Sequence, residues 1–214
     1  AEDLYLTVFA FVFPALVAGA GGFFCRKYFP AGRMRALQAM LICSLAWISF
    51  SLIGAVPFVF IIGSSYLDAV FETMSGFTTT GITMFSGLDG MPRSILFWRS
   101  LTQWVGGLGI LTFFLAISFR GKTAHRLFGA ESHKIEGERP VPGLAHTLII
   151  LWAIYILFTL LISSGLIFAG MSVFDSVCHT FTALSTGGFS PHDASIDYYR
   201  IAGFSHYEIG RAHV

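Results

Sequence analysis

The stretch FETMSGFTTTGIT, residues 71–83, begins like a helix and ends in a polar, glycine-containing run that no helix continues. A counterpart, ALSTGGFS, lies at residues 183–190. Gly188 follows Gly81 by 107 residues, and the same offset sets Asp175 against Asp68, Val177 against Val70, Thr180 against Thr73 and Thr186 against Thr79. Ser185 and Ser190 fall on Thr78 and Thr83 in the same register. One offset shared by so many positions is an internal repeat. In each copy about ten residues, 68–77 and 175–184, have helical character, and Asp68 is placed to cap the first of them. At ~1.5 Å per residue each run reaches roughly 15 Å, half the thickness of a bilayer.

The surrounding sequence supplies that bilayer. Of 214 residues, 55% are hydrophobic and only 12% charged, which excludes an ordinary soluble domain. Residues 4–24 and 36–67 carry no charge, residues 141–174 carry only His146, and residues 94–119 are interrupted only by Arg99. All four reach the roughly 20 residues that a spanning helix needs. The first lacks both a preceding basic region and a small-residue cleavage site, so it reads as a span and not as a signal peptide. Pro92 sits where a helix would begin, and Trp98 and Trp104 suit the outer end of that span.

Basic residues gather in two connections: Arg26, Lys27, Arg33 and Arg35, then Arg120, Lys122, Arg126, Lys134 and Arg139. Both connections are therefore expected in the cytoplasm, with residues 63–93 and those after about 170 outside. Cys25, Cys43 and Cys178 lie in or beside apolar segments and imply no disulfide framework. The expected fold is an all-α polytopic membrane protein of repeated membrane–pore loop–membrane units with re-entrant half-helices. Its expected divisions are a preceding transmembrane helix (1–30), a first unit (31–122), a cytoplasmic loop (123–143), an incomplete second unit (144–199) and a tail (200–214).

Irregular backbone at membrane depth is tolerated only where protein buries it or where it lines a watery path. TTTGIT and STGGFS therefore call for a pore. Stacked backbone carbonyls and threonine hydroxyls offer a dehydrated K⁺ neutral oxygen ligands that it can both enter and leave. Thr79, Thr80 and Gly81 fit that task, as do Thr186, Gly187 and Gly188. Thr78, Ile82, Ser185 and Phe189 flank them as support. The helix ahead of each loop directs its negative dipole end at the same place. An ionisable residue within a span is a functional candidate by default; Arg99 is read here as the structural partner of Glu72 or Asp68 behind the loops. Gly106, Gly107 and Gly109 read as small residues that allow close helix packing.

Together with WRSLTQWVGGLGI (98–110) and ALSTGGFSPHDAS (183–195), the first stretch resembles the first two pore units of TrkH-type potassium uptake proteins of the Trk/Ktr/HKT superfamily. The resemblance runs from about residue 4 to 199. It implies K⁺ as the transported ion, no organic cofactor, four pore units around one path, and a homodimer in the bacterial inner membrane. It also implies a cytosolic nucleotide-binding regulatory subunit of the TrkA type, with transport either channel-like or by symport. Gly81 and Gly188 take the positions of the family's filter glycines, whereas Gly187 stands where the first loop has Thr80. The third and fourth units and the gating loop have no counterpart here, and residues 197–214 hold no apolar run for a closing helix. The inward-running first span fits loss of an earlier outward-running helix, and EIGRAHV at 208–214 reads like a translated sequencing adapter.

Two other functions were open to the sequence. A membrane-embedded enzyme could draw on His179, His192 and Asp193, but no H-E-x-x-H or G-x-S-x-G pattern is present, and an enzyme gives no reason for the loop to recur. A short two-unit cation channel could dimerise to collect four loops, but it would need the missing closing helix. His179, aligned with Glu72, is expected to be a hydrogen-bonded support, and His192 with Asp193 a solvated outer vestibule.

Overall fold

The computed structural model describes residues 4–29, 36–120 and 144–201, and its described elements are all helical. The loop 123–143, the basic residues Arg33, Arg35, Lys122, Arg126, Lys134 and Arg139, and the tail from 202 onward lie outside the described residues. Helices run in the order α1 (Leu4–Tyr28), α2 (Ala36–Gly54), α3 (Val56–Ile62), α4 (Tyr66–Phe77), α5 (Arg93–Arg120), α6 (Leu144–Phe168), α7 (Val173–Leu184) and α8 (Asp197–Ile201). Among the described residues, three segments are long and apolar enough to cross a membrane: Leu4–Tyr28, Met40–Ile62 and His146–Phe168. α5, with 28 residues, has the length of a span but buries polar side chains along one face.

The second span is broken where the sequence reads as continuous. Pro57 lacks an N–H and cannot carry the i→i−4 ladder through the break, and the Phe58 N–H turns to Ala55 O at 3.1 Å. The Gly54 carbonyl takes the indole N–H of Trp98 instead, at 2.9 Å. Trp98 therefore ties α5 to α2, and Trp104 donates to Thr159 Oγ1 on α6 at 3.0 Å. Both tryptophans are struts between helices, since each indole N–H finds a protein acceptor.

The two half-helices are built by matching devices. Gly63 (φ 66°) and Gly170 (φ 97°) turn the chain in the left-handed region before each one. Ser65 and Ser172 then cap them, accepting the N–H of Asp68 at 3.2 Å and of Asp175 at 3.1 Å. Asp68 is thus not the cap that the sequence suggests: it sits three residues inside, where its N–H is served by Ser65 and its charge faces the positive helix end. Each half-helix gains two residues over the expected start and has 12. Thr73 and Thr180 bond back to the carbonyls of Ala69 and Ser176, both at 2.6 Å.

Helix α4 packs between α2 and α5, and α7 between α5 and α6, so α5 is the wall that both half-helices share. Small residues on α5 make this possible. A Cβ on Gly106 would strike the carbonyl of Phe77, the last residue of α4. One on Gly107 would meet Ser185 and the Tyr155 hydroxyl, and one on Gly109 would meet Trp47. The glycine cluster is a close-packing surface, as expected, but it receives the ends of the half-helices as well as neighbouring spans. Gly106→Ala in the intact protein is expected to lower its apparent melting temperature by roughly 5 °C, an overpacking cost of about 1–3 kcal/mol. Gly90→Ala, where a Cβ meets open space, is the matched control; equal melting of the two variants would contradict the packing account.

Candidate functional site: two matched loops held on one helix

Each half-helix ends in the same backbone motif. Thr79 N–H bonds to Gly76 O and Thr80 N–H to Ser75 O, both at 2.9 Å; Thr186 N–H bonds to Ala183 O at 3.0 Å and Gly187 N–H to Thr182 O at 2.8 Å. This pairing is a Schellman-type ending, which places one residue in the left-handed region, usually glycine. Here the residue is threonine, Thr79 at φ 53° and Thr186 at φ 57°. A β-branched residue in that region is a strained outlier, costing on the order of 1–3 kcal/mol. Two residues on, Gly81 (φ 81°) and Gly188 (φ 84°) are left-handed again. The alternation turns successive peptide units, and it occurs twice at the same offset.

The loops face each other closely. A Cβ on Gly81 would strike the carbonyl oxygen of Gly187, so glycine is required there by space as well as by φ. Thr78 and Thr80 share a hydroxyl–hydroxyl hydrogen bond of 2.7 Å, and Thr78 Oγ1 also donates to Met74 O at 2.7 Å. Ser185, its counterpart, donates to Phe181 O at 2.8 Å. Thr186 Oγ1 donates to Ser185 O at 2.7 Å. The flanking pair diverges: Ile82 is 59% exposed, whereas Phe189 is 3% exposed beneath the Arg99 guanidinium, 4.4 Å from its ring centroid.

Behind the loops lies a buried ion pair. Arg99 Nε donates to Glu72 Oε1 at 2.7 Å, with both side chains at most 1% exposed. Of the two partners open to Arg99 in the sequence, the structure takes Glu72. Nη1 of Arg99 donates to the Ser190 carbonyl at 3.0 Å and Nη2 to Thr83 Oγ1 at 3.1 Å. Glu72 accepts in addition from the Thr83 hydroxyl at 2.9 and 3.0 Å and from the Met84 N–H at 2.9 Å. One guanidinium thus grips both loops from α5, and nearly every polar atom of the pair is used, as burial of a charge demands.

One supporting residue escapes the sequence. Gln103, one turn beyond Arg99 and 0% exposed, accepts the Phe189 N–H at 3.0 Å. Its carboxamide fills the space that a Cβ on Gly187 would need. This is why the second loop has glycine where the first has Thr80. Within WRSLTQWVGGLGI only the four-residue spacing from Arg99 hints at it, since i and i+4 share a helix face.

Both expectations for the histidines need correction. His179, expected to be a hydrogen-bonded support, is buried, but its Nε2 has no hydrogen-bond partner among the described residues. The first unit gives Glu72 the Met84 N–H to accept; the matching position in the second unit is Pro191, which has none. His192 is not solvated vestibule. Its Nδ1 lies 2.5 Å from Asp89 Oδ1, its Nε2 3.5 Å from Asp175, and its ring stacks on Tyr198 at 3.6 Å. Asp193 is exposed, yet it accepts the Gly87 N–H at 3.0 Å. These contacts join the connection after the first loop to the segment after the second. Partial burial raises the Asp175 pKa, but hydrogen bonds from Ser172 and Tyr199 and the charge and hydrogen bond of His192 outweigh it, leaving the carboxyl below its ordinary range. No group of three or more His, Cys, Asp or Glu placed to hold a metal occurs among the described residues.

Membrane-crossing helices, two parallel copies of a half-helix and loop, and one helix bracing both define a polytopic membrane protein of the pore-loop class. Comparison with known proteins narrows this further. The family described as "Cation transport protein", TrkH, matches residues 9–207. The Trk system potassium uptake protein TrkH of Escherichia coli K12 is 37% identical over 212 residues, covering 88% of this chain and 44% of that protein. An uncharacterized cation transporter of Methanocaldococcus jannaschii is 38% identical over 195 residues, 90% of this chain and 40% of its own. Among solved structures, the potassium transporter TrkH from Vibrio parahaemolyticus matches with a TM-score of 0.62 at 33% identity, over 94% of this chain and 46% of that one. The chain belongs to the TrkH family of cation transport proteins. It spans less than half the length of these relatives, which are named as cation or potassium transporters.

Arg99→Ala in the intact protein is expected to leave Glu72 charged, buried and unpaired, a loss of about 3–5 kcal/mol. Folded yield on size exclusion should fall severalfold. Normal yield with changed ion preference would mean that Arg99 acts on the ion rather than on the fold.

Proposed function

We propose that the intact protein moves K⁺ into the cell through a selectivity filter to which residues 78–83 and 185–190 contribute two of four strands. Thr79, Thr80, Gly81, Thr186, Gly187 and Gly188 supply carbonyl and hydroxyl oxygens to the ion. Thr78, Ile82, Ser185, Phe189, Arg99 and Glu72 hold the strands in place. The observation that carries this reading is the pair of left-handed threonines at matched positions, Thr79 and Thr186. A purely structural turn would have no reason to keep strained threonine twice where glycine is unstrained.

The related proteins named as potassium transporters support K⁺ as the substrate. A filter of neutral oxygens suits it, since the half-helix dipoles add only partial negative charge and the ion can leave again. Arg26 and Lys27 at the end of α1 support a cytoplasmic position for that end and an outward position for the loops. The same kinship supports a bacterial inner-membrane location, a homodimer and a cytosolic nucleotide-binding regulatory partner. No covalent step is involved, and His179, His192 and Asp193 have structural tasks in this reading.

The test is K⁺-limited growth of an uptake-deficient strain expressing the full-length gene. Gly81→Ser is expected to abolish rescue, because it adds a clash with Gly187 to an unfavourable φ. Gly188→Ser, which meets open space, is expected to weaken rescue and admit Na⁺. Full rescue by both variants at normal protein levels would reduce the loops to structural turns.

A further inference from the structure

We propose that Gln103 is a positioning residue for ion selection, aiming the Gly188 carbonyl by holding the N–H of the same peptide unit; the inference rests on the filter reading above. A trans peptide is planar and its C=O and N–H point in opposite directions. The unit joining Gly188 to Phe189 is trans, and its N–H is directed back at α5, where Gln103 Oε1 accepts it at 3.0 Å. The Gly188 carbonyl is therefore turned away from α5. Gly188 itself is exposed and faces open space, whereas its neighbours Gly187 and Phe189 are buried.

Three further observations make the hold a rigid one. Gln103 is wholly buried, and its carboxamide is wedged against Gly187, so the side chain has little room to turn. The Phe189 ring is covered by the Arg99 guanidinium, 4.4 Å from its centroid. The chain is fixed two peptide units further on as well, since the Ser190 carbonyl accepts from Arg99 Nη1. The carboxamide Nε2 has no hydrogen-bond partner among the described residues. A buried unpaired donor is costly, and methionine would fill the same space without it, so the use of glutamine points to what its oxygen does.

The first loop is held at different places. There Ser75 Oγ donates to the Ile82 carbonyl at 2.6 Å and Glu72 accepts the Met84 N–H. The Gln103 hold is therefore specific to the second strand, and its loss should disturb selection while leaving the path intact.

The experiment measures K⁺ and Na⁺ uptake into liposomes by the intact purified protein. Gln103→Met keeps the volume and removes the acceptor; Gln103→Glu keeps an acceptor oxygen. The K⁺/Na⁺ uptake ratio is expected to fall about tenfold in Gln103→Met, the weight of one hydrogen bond, and to be largely retained in Gln103→Glu. Placing phenyllactate at position 189 by nonsense suppression replaces that N–H by an ester oxygen, which also weakens the Gly188 carbonyl as a ligand, and should lower the ratio at least as far; this keeps the test informative if Gln103→Met does not accumulate. An unchanged ratio in either acceptor-less or N–H-less protein overturns the inference, as does an equal fall in Gln103→Glu. Gly188→Ser is the reference: if it shifts the ratio while Gln103→Met does not, the filter stands and this inference falls. If neither shifts it, the filter reading itself is wrong.

Discussion

A guanidinium at 1% exposure is stable only when its donors are satisfied, and satisfying those of Arg99 determines where two separate loops must lie. Its Nε requires Glu72 on the first half-helix, its Nη1 the Ser190 carbonyl and its Nη2 the Thr83 hydroxyl. Glu72 is then committed to Thr83 and Met84, which closes the first loop back on its own helix. Moving the first loop would break several of these bonds at once, and moving the second would strip Nη1 of its acceptor, in a low-dielectric setting where each bond is strong. The close approach of Gly81 to Gly187 follows from this common anchor.

Helix α5 can serve as that anchor because it combines two surfaces. Arg99 and Gln103 bring polar atoms to backbone that would otherwise be unsatisfied at membrane depth. A turn later Gly106 and Gly107 remove side chains altogether and let Phe77 and Ser185, at the ends of the half-helices, settle against the helix. The half-helix dipoles therefore end at a defined depth, and the strained threonines follow directly on fixed supports. Strain of this kind persists only where the surroundings over-determine the backbone.

Much of this could be read from residue order. The 107-residue offset revealed two half-helices and two loops. Of the four uncharged or nearly uncharged stretches, three correspond to the segments long and apolar enough to span among the described residues, and the fourth to α5, a long helix that buries polar side chains. A carboxylate partner for Arg99 could be expected, as Glu72 or Asp68, because an isolated charge in a span must find one, and the structure takes Glu72. What escaped the sequence depends on position in space. Asp68 and Ser65 are both good capping residues, and which one caps is set by the turn at Gly63. The break at Ala55 was hidden because Pro57 is surrounded by uniformly apolar neighbours. Gln103 and the contact of His192 with Asp89 join residues 86 and 103 positions apart, which no local pattern encodes.

Helix α5 belongs by sequence to the first repeat, yet Gln103 and part of Arg99 work for the second. The segment that was duplicated and the segment that is mechanically complete are thus out of step with each other. A graft that exchanged units between relatives at the connection after α5 would part the second loop from its brace, even though that connection looks like the natural seam. A seam placed ahead of α5 would part the first loop from Arg99 instead. Recombination between members of such a family is therefore most tolerable when Glu72, Arg99, Gln103 and Phe189 travel together, and they behave as one heritable block laid across the repeat boundary.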